Sequence, residues 1–372
     1  MVDQSRRLLL QSALAGAGVL AAPGLLATTA PRPKRILILG GTGFIGPHTV
    51  RTAVARGHEV TIFTRGRKQV DLPEAVERLV GDRNDDHEAL KGRTWDVVLD
   101  NNCYDYRWAR TSTELLKDAT DHYLLVSSLS SYAMPDSIWN DAETPLARPL
   151  PEDAPLVTRP ADWKDGDEAD YAWMKVLSEQ IVSAAFPDRS TIVRPTLIVG
   201  PGDHTGRWSY WPMRFQRGGE ILAPGNPEHA VQIIDQRDLT EWHVHLAENG
   251  IFGTFSGAGP RDRLSMGTML EQVGELVDSP WSLTWADEAF LQEQGIQPWS
   301  DMPAWVPNYP MTWVDVSASV AAGLRYRSIA DTARATLAFE NQRGPDNQAR
   351  PFTLTPERES EALAAWAARA VG

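Results

Sequence analysis

The sequence of 372 residues has little cysteine and no excess of basic charge. Its single cysteine, Cys103, excludes an intramolecular disulfide and any metal cluster built from cysteines. A formal net charge of −13 argues against a broad basic surface for nucleic acid or an anionic membrane. Histidine is also sparse, and His243 and His245 have no third ligand at a convincing spacing. We therefore expect no metal site.

The clearest motif is a glycine-rich turn near the N-terminus. An apolar run of strand character, Ile36 to Leu39, meets Gly40, Gly43 and Gly46, and a helical pattern continues to Gly57. A strand, a tight turn and a helix start in this order predict a pyrophosphate-binding site, although such a turn also occurs in other α/β proteins. The nucleotide contacts expected from this turn are Gly40, Thr42, Gly43, Phe44, Ile45 and Gly46.

Strand and helix patterns alternate from residue 35 to residue 130. Further strands are predicted at residues 59–64, 76–80, 95–100, 123–127 and 190–194. Strands with helices between them indicate a parallel sheet joined by right-handed crossovers. The predicted fold class is therefore α/β, a Rossmann-type doubly wound parallel sheet with a smaller, mostly C-terminal substrate-binding part.

Composition suggests how the chain is divided. Six prolines between residues 134 and 168 interrupt regular structure, so we expect a long ordered excursion toward the substrate. Helices are predicted at residues 168–186, 266–277, 316–323, 328–339 and 356–370, the last capped by Thr355. The predicted parts are a signal segment (1–30), a dinucleotide-binding Rossmann domain (31–200), a mixed substrate-binding part with some return to the sheet (201–340) and a C-terminal tail helix (341–372).

The first thirty residues have the pattern of an export signal. The pair Arg6-Arg7 precedes an apolar stretch rich in alanine, glycine and leucine that runs to Leu26, with no acidic residue after Asp3. This pattern resembles a twin-arginine signal, which predicts a periplasmic or otherwise exported protein and contact with the export machinery. No stable membrane span is expected once the signal is removed. The alternatives are a disordered extension or a membrane anchor, and a cytoplasmic protein if no signal is present.

Two groups of side chains can do chemistry beside a bound nucleotide. Tyr171 and Lys175 are four residues apart in a predicted helix and therefore share one helical face. A nearby ammonium stabilises a tyrosinate, which can then act as a general base. Ser127 and Ser128 follow a predicted parallel strand, at the sheet edge where open α/β sheets bind ligands.

These three features occur in the order typical of one superfamily. With the turn Gly40–Gly46, Ser127-Ser128, the Tyr171/Lys175 pair and Arg194-Pro195, residues 35–340 resemble the extended epimerase/dehydratase branch of the short-chain dehydrogenases/reductases. The stretch 57–66 further resembles an atypical subgroup that includes chloroplast stem-loop-binding proteins, which have the fold but are linked to RNA.

The resemblance implies a role for each matching residue. Tyr171 would be the acid/base, Lys175 would bind the nicotinamide ribose and assist the tyrosine, and Ser128 fits the family's serine position better than Ser127. Asp82 resembles the adenine contact, and Asn101 replaces a small apolar residue that the family usually has beside the cofactor. The further nucleotide contacts that we expect outside the turn are Asp82, Arg83, Asn101, Lys175 and Pro195.

The end of the second strand indicates which nucleotide binds. An NAD site needs an acid there to accept from the ribose 2′-hydroxyl. This chain instead has Arg65, Arg67 and Lys68. Arg65 is suited to pairing with a 2′-phosphate, with Lys68 beside it, so NADP is favoured over NAD. An exported enzyme would hold this cofactor tightly and regenerate it within each cycle.

The predicted function is an NAD(P)-dependent epimerase or related oxidoreductase that acts on a sugar or polyol-like alcohol, with a homodimer as one expected assembly. The alternatives are a cytoplasmic NADP-dependent ketone or aldehyde reductase, and a non-catalytic Rossmann protein that binds nucleotide or RNA. Certain aromatic and polar residues either contact a carbohydrate or belong to the core: Trp173, His204, Arg207, Trp208, Tyr210, Trp211 and Arg214.

Overall fold

The computed structural model describes residues 32–133, 149–307, 313–343 and 353–369. The predicted signal segment and residues 134–148 of the proline-rich excursion lie outside these ranges. Residues Pro33–Gly372 cluster as one compact unit. In the described ranges, no helix is both long and apolar enough to cross a membrane.

A seven-stranded parallel sheet forms the centre of the fold, which confirms the predicted class. Its strands are β1 (Arg35–Leu39), β2 (Glu59–Thr64), β3 (Glu77–Val80), β4 (Trp95–Asp100), β5 (Thr120–Val126), β6 (Ser190–Pro195) and β11 (Gly253–Gly257). Their order across the sheet is β11-β6-β5-β4-β1-β2-β3, so the connection reverses direction beside β1. The crevice at that reversal, outside the carboxyl ends of the strands, is where such sheets bind ligands.

Helices cover both faces of the sheet. The described helices are α1 (Gly46–Ala55), α2 (Tyr106–Leu116), α3 (Tyr171–Ala185), α4 (Tyr210–Arg217), α5 (Gln236–Asn249), α6 (Met266–Gly274), α7 (Glu288–Glu293), α8 (Ser317–Ala321), α9 (Ile329–Arg343) and α10 (Pro356–Arg369). Ile36 and Ile38 of β1 pack in a core with α1 and α5, whereas Leu37 and Leu39 pack in a second core with α2 and α3. Burial on both faces explains why β1 is continuously apolar.

A separate core supports the C-terminal part. Trp208, Phe215 and Met269 lie at its centre. Short two-stranded sheets surround it, formed by β7 (Leu197–Val199) with β10 (Ile233–Asp235), β8 (Gly219–Pro224) with β13 (Trp281–Ala286), and β9 (Ala230–Val231) with β12 (Leu264–Ser265). Helix α10 joins this part through the buried ion pair of Arg214 with Glu359 at 2.6 Å.

Caps decide where the predicted helices begin. Helix α3 starts three residues later than the predicted residue 168, because the Asp170 side chain accepts from the Trp173 N–H at 2.8 Å. The predicted cap of the tail helix is confirmed, since Thr355 Oγ1 accepts from the Arg358 N–H at 3.3 Å. The helix predicted at 316–323 is shorter and spans Ser317–Ala321.

Candidate active site

The conformation of the turn between β1 and α1 is fixed by close backbone contacts. Gly40 has φ +110°, and its N–H donates to the Phe63 carbonyl oxygen at 3.0 Å. A Cβ on Gly46 would lie 2.5 Å from the carbonyl carbon of Gly41, so no side chain fits there. Gly46 therefore packs the start of the helix closely against the turn itself. Gly43 faces open space, with nothing within 4 Å of a built Cβ.

The start of α1 can receive an anion. Its N-cap residue, Ile45, gives no side-chain hydrogen bond, and the first turn contains Pro47 but no acidic residue. The first N–H groups of a helix carry partial positive charge and have no partner within the helix. Thr42, Gly43 and Phe44 leave this end accessible, because none of the three is buried. The cradle therefore fits a pyrophosphate.

The loop after β2 presents free cations at the same edge of the sheet. Arg65 and Lys68 are exposed, and neither makes a hydrogen bond or an ion pair with the residues that the structure describes. The Gly66 N–H donates to Thr64 Oγ1 at 3.3 Å, which turns the loop immediately after the strand. These cations are available to a negatively charged ligand.

The two predicted nucleotide contacts after β3, Asp82 and Arg83, have different surroundings. Asp82 is half-buried, and its Oδ1 accepts from the backbone N–H of Asn84 at 3.1 Å and from the Asn84 side chain at 2.9 Å. Arg83 is buried, and its guanidinium donates to both oxygens of Asp100, at 2.6 and 2.7 Å. Burial by itself lowers the pKa of Arg83, but the attraction of Asp100 outweighs this effect and raises it. Arg83 thus stabilises the end of β4 through this buried ion pair.

The segment after β4 lies directly beside the glycine turn. A Cβ on Gly40 would come within 3.3 Å of Asn102 Cβ and within 3.9 Å of Asn101 Cβ. The Asn101 amide donates to Thr49 Oγ1 at 3.3 Å, while its Oδ1 is buried without a partner among the described residues. Asn101 therefore lies beside the turn with an unused acceptor, and its contact with a nucleotide stays a prediction. Pro195 ends β6 and is buried opposite Gly257 of β11.

Lys175 is buried beneath an exposed phenol. Its Nζ donates to the carbonyl oxygens of Cys103 at 2.8 Å and Val126 at 3.3 Å. The same Nζ lies 5.6 Å from the ring centroid of Tyr171, whose side chain is 45% exposed. Helical spacing therefore brings the predicted pair together. The two backbone carbonyls fix the ammonium at the carboxyl ends of β4 and β5.

The two candidate serines have different surroundings. Ser127 is buried, and its hydroxyl donates to Glu179 Oε1. Ser128 is half-buried, and its Oγ accepts from the Ser130 N–H at 3.1 Å. Because its own hydroxyl proton is unused by the described residues, Ser128 is the serine left to contact a ligand, in the position that we predicted.

Glu179 was not singled out from the sequence, yet it connects three elements at the site. Its carboxylate accepts from Ser127 and from Ser131 at 2.9 Å, and it forms a buried ion pair with Arg194 of β6 at 2.6 Å. Glu179 lies four residues after Lys175, on the same face of α3. That four-residue spacing from Lys175 was the signal available in the sequence. It does not reveal the partners of Glu179, because they come from separate segments of the chain.

The aromatic residues considered for sugar stacking are mostly core residues. Trp173, Trp208, Tyr210 and Trp211 are buried. The Trp211 indole donates to the Pro303 carbonyl at 2.6 Å, and Arg214, also buried, is paired with Glu359. The carbohydrate interpretation of these residues is therefore wrong, because their apolar surface is used in packing. Arg207 stays half-buried, and His204 is exposed.

The described residues contain no group of three or more histidine, cysteine or acidic side chains that could hold a metal ion. The polar groups at the carboxyl edge of the sheet are instead the glycine turn, free cations, a lysine with a tyrosine, and a serine. Together with the parallel sheet, they form the arrangement expected of a nucleotide-binding site.

Comparison with known proteins identifies the family. Residues 36–254 match the model of the NAD dependent epimerase/dehydratase family, and the chain belongs to this family. The resemblance to the epimerase/dehydratase branch inferred from its motifs is thereby confirmed at the level of the family.

Two relatives illustrate how varied similar chains are. The chain is 25% identical over 248 residues to the chloroplast stem-loop binding protein of 41 kDa b of Arabidopsis thaliana, covering 61% of this chain and 58% of the relative. It is 29% identical over 241 residues to the decarboxylating sterol-4-alpha-carboxylate 3-dehydrogenase of Bos taurus, covering 59% and 62%. The matches span about three fifths of each relative's length.

Solved structures share the fold at low sequence identity. The UDP-N-acetylglucosamine 4-epimerase of Methanobrevibacter ruminantium M1, in complex with UDP-N-acetylmuramic acid, superposes with a TM-score of 0.61 at 16% identity, covering 84% of this chain and all of that one. The Bordetella bronchiseptica enzyme WbmH, in complex with NAD+, gives 0.59 at 15% identity, with 83% and 99% covered.

Proposed function

We propose that the protein is an NAD(P)-dependent epimerase or a related oxidoreductase acting on a sugar or polyol-like alcohol. The observation that carries this proposal is the buried Lys175 ammonium beneath the exposed Tyr171 phenol, beside a glycine turn that admits a pyrophosphate. A degenerate nucleotide-binding fold has no need to bury an ammonium at this edge, where desolvating a charge is costly.

The proposed chemistry divides the work between three side chains. Tyr171 acts as tyrosinate, which the Lys175 charge stabilises, and takes the proton of the substrate hydroxyl to become a neutral phenol. The otherwise unused hydroxyl of Ser128 donates a hydrogen bond to the oxygen of the developing carbonyl. Bound nicotinamide supplies the hydride acceptor. When the carbonyl is reduced again, Tyr171 returns the proton, so an epimerisation consumes no net reductant.

A matched pair of tyrosine variants tests this assignment. Tyr171→Phe removes the acid/base and keeps the ring, so we expect turnover of a reactive sugar or polyol from a panel to fall at least about 100-fold. Nucleotide binding should persist. Tyr210→Phe is the control, because the Tyr210 hydroxyl is buried without a partner among the described residues. Turnover that is equal in wild type and Tyr171→Phe would remove the proposed role.

Preference for NADP is the second part of the proposal. It is supported by the free Arg65 and Lys68 at the end of β2. Replacing both with Gln should weaken NADP binding roughly 10- to 100-fold, because charge-assisted hydrogen bonds to a phosphate are lost, and should leave NAD affinity within about twofold. Calorimetric titration of both nucleotides measures this, with Arg263→Gln, an exposed arginine beyond this loop, as the control. Parallel losses for NAD and NADP would contradict the preference.

RNA binding is the competing function, and it is favoured by the name of the Arabidopsis relative. The net charge of −13 argues against it, because RNA binding relies on a basic surface. An RNA affinity in the nucleotide-free protein that falls steeply with salt would support the competing function.

Export by the twin-arginine route, with the nucleotide already bound, is also proposed. It rests on Arg6-Arg7 and the apolar stretch that follows. Replacing both arginines with lysine should retain the protein in the cytoplasm, as fractionation and immunoblotting would show. Unchanged localisation would exclude this route.

A further inference from the structure

A second tyrosine lies at the catalytic ammonium. Tyr104 follows β4 by four residues, and its backbone is attached to Cys103, whose carbonyl accepts from Lys175 Nζ at 2.8 Å. The position of Tyr104 is thereby tied to Lys175. Its side chain is 60% exposed, and its hydroxyl makes no hydrogen bond with the described residues. An exposed tyrosine on an arbitrary surface has no such link to a catalytic group.

The two tyrosine rings lie at nearly the same distance from the ammonium. Lys175 Nζ lies 5.5 Å from the Tyr104 ring centroid and 5.6 Å from that of Tyr171, within the range of cation–π attraction. Both rings are exposed at the carboxyl edge of the sheet, where the substrate of an open α/β fold binds. A substrate whose reacting oxygen meets Tyr171 therefore passes close to Tyr104.

The two phenols differ in their surroundings. Although Tyr104 is largely exposed, partial burial and the neighbouring Tyr171 raise its pKa, while the charge of Arg207 opposes this shift. Arg207 lies over the Trp299 ring at 5.3 Å, and its Nε is buried without a partner among the described residues. The Tyr104 hydroxyl has no partner among the described residues, so its proton is available to a ligand, and a phenol is a hydrogen-bond donor.

We propose that Tyr104 contacts the substrate directly, donating a hydrogen bond to a second oxygen of the molecule whose first oxygen reacts at Tyr171. The site therefore selects polyhydroxylated substrates over those with a single hydroxyl. This inference rests on the proposed function, since it assumes that Tyr171 holds the reacting oxygen. It adds a specificity determinant that the motifs do not contain.

The test compares matched ligands on the nucleotide-loaded full chain. The probes are two pairs with the same ring: myo-inositol with cyclohexanol, and glucose with tetrahydropyran-4-ol. Calorimetry measures binding without requiring turnover, and nicotinamide absorbance measures kcat and KM where turnover occurs. The variants are Tyr104→Phe, Tyr171→Phe and the control Tyr210→Phe. Tyr104 is exposed, so Tyr104→Phe should leave the packing intact.

We expect wild type to prefer the polyol in at least one pair, and Tyr104→Phe to reduce that preference about threefold to tenfold, the effect of one neutral hydrogen bond. The loss should appear in KM or affinity, with kcat changed less than about twofold. An unchanged preference in Tyr104→Phe overturns the inference, as does a wild type that binds both members of each pair equally or binds none of the four.

The same variants separate this inference from the proposed function. If Tyr171→Phe keeps full turnover while Tyr104→Phe loses selectivity, the acid/base assignment fails and the contact at Tyr104 stands. If Tyr104→Phe abolishes turnover and Tyr171→Phe does not, the two tyrosines have exchanged roles, and the donor role of Tyr104 is overturned.

Discussion

At the residue scale, the site depends on charged groups held by backbone atoms. Lys175 is only 4% exposed, and its ammonium donates to two carbonyl oxygens, one from the segment after β4 and one from the last residue of β5. A buried charge with hydrogen bonds on fixed backbone groups has little freedom to move. The ammonium is therefore held at a defined distance from the rings of two separate tyrosines.

A buried histidine makes stability depend on pH. His243 in α5 is fully buried, neither ring nitrogen has a partner among the described residues, and burial lowers its pKa to about 3. The folded state therefore rejects a proton that the unfolded chain accepts below about pH 6.5. Stability from this group is complete above that pH and is lost as the pH falls toward 3.

His243→Leu should remove this dependence. Between pH 7 and pH 5, wild type should lose about 2 kcal/mol more of its free energy of unfolding than the variant loses. Urea unfolding at both pH values measures the difference, and the exposed His204→Gln serves as the control. Burial also lowers the pKa of His122, to about 4, so part of the acid sensitivity should persist in the variant. Equal losses in wild type and His243→Leu would contradict the account.

At the scale of elements, Glu179 fastens α3 to the ends of β5 and β6. Glu179→Gln keeps the volume but breaks the buried ion pair with Arg194, so we expect a loss of about 3–5 kcal/mol in the free energy of unfolding. Arg93→Gln is the matched control, because its pair with Glu77 at 2.7 Å is exposed and should contribute less than about 1 kcal/mol. Chemical denaturation measures both. Similar small losses in the two variants would show that the buried pair does not organise the site.

Two glycines of the β1–α1 turn should respond differently to alanine. Gly43→Ala places a methyl group in open space, so stability should change by less than about 1 kcal/mol while nucleotide binding weakens at least about tenfold. Gly46→Ala drives the methyl group into the Gly41 backbone and should destabilise the fold by about 1–3 kcal/mol. Thermal unfolding and NADPH fluorescence separate the effects. Normal binding by Gly43→Ala would place the pyrophosphate elsewhere.

Much of the architecture could be predicted because the signals are local. The strand patterns at 59–64 and 95–100 coincide with β2 and β4, and Tyr171 with Lys175 meet because four residues make about one helical turn. What could not be predicted depends on contacts between distant segments. Arg83 turns inward because it pairs with Asp100, and Glu179 has its partners in two other segments, the one after β5 and the end of β6. Neither pairing can be recognised from residues that are close together in the sequence.

At the scale of the whole molecule, the same limit applies to the aromatic residues. Trp208 and Trp211 belong to the core of the C-terminal part because β8, α6 and the loop carrying Pro303 enclose them. Composition alone does not distinguish such a core from an exposed stacking surface. The molecule thus consists of a Rossmann sheet that presents the nucleotide cradle and a C-terminal part with its own core.

We expect this chain to bind a nicotinamide dinucleotide at the Gly40–Gly46 turn. Calorimetric titration of NADPH and NADH into the purified full chain tests it most directly, combined with mass spectrometry of any nucleotide released by denaturing the protein. We expect one dinucleotide per chain, either already bound or taken up with micromolar or tighter affinity, and NADPH bound more tightly than NADH. A folded protein that releases no nucleotide and binds neither would contradict the account.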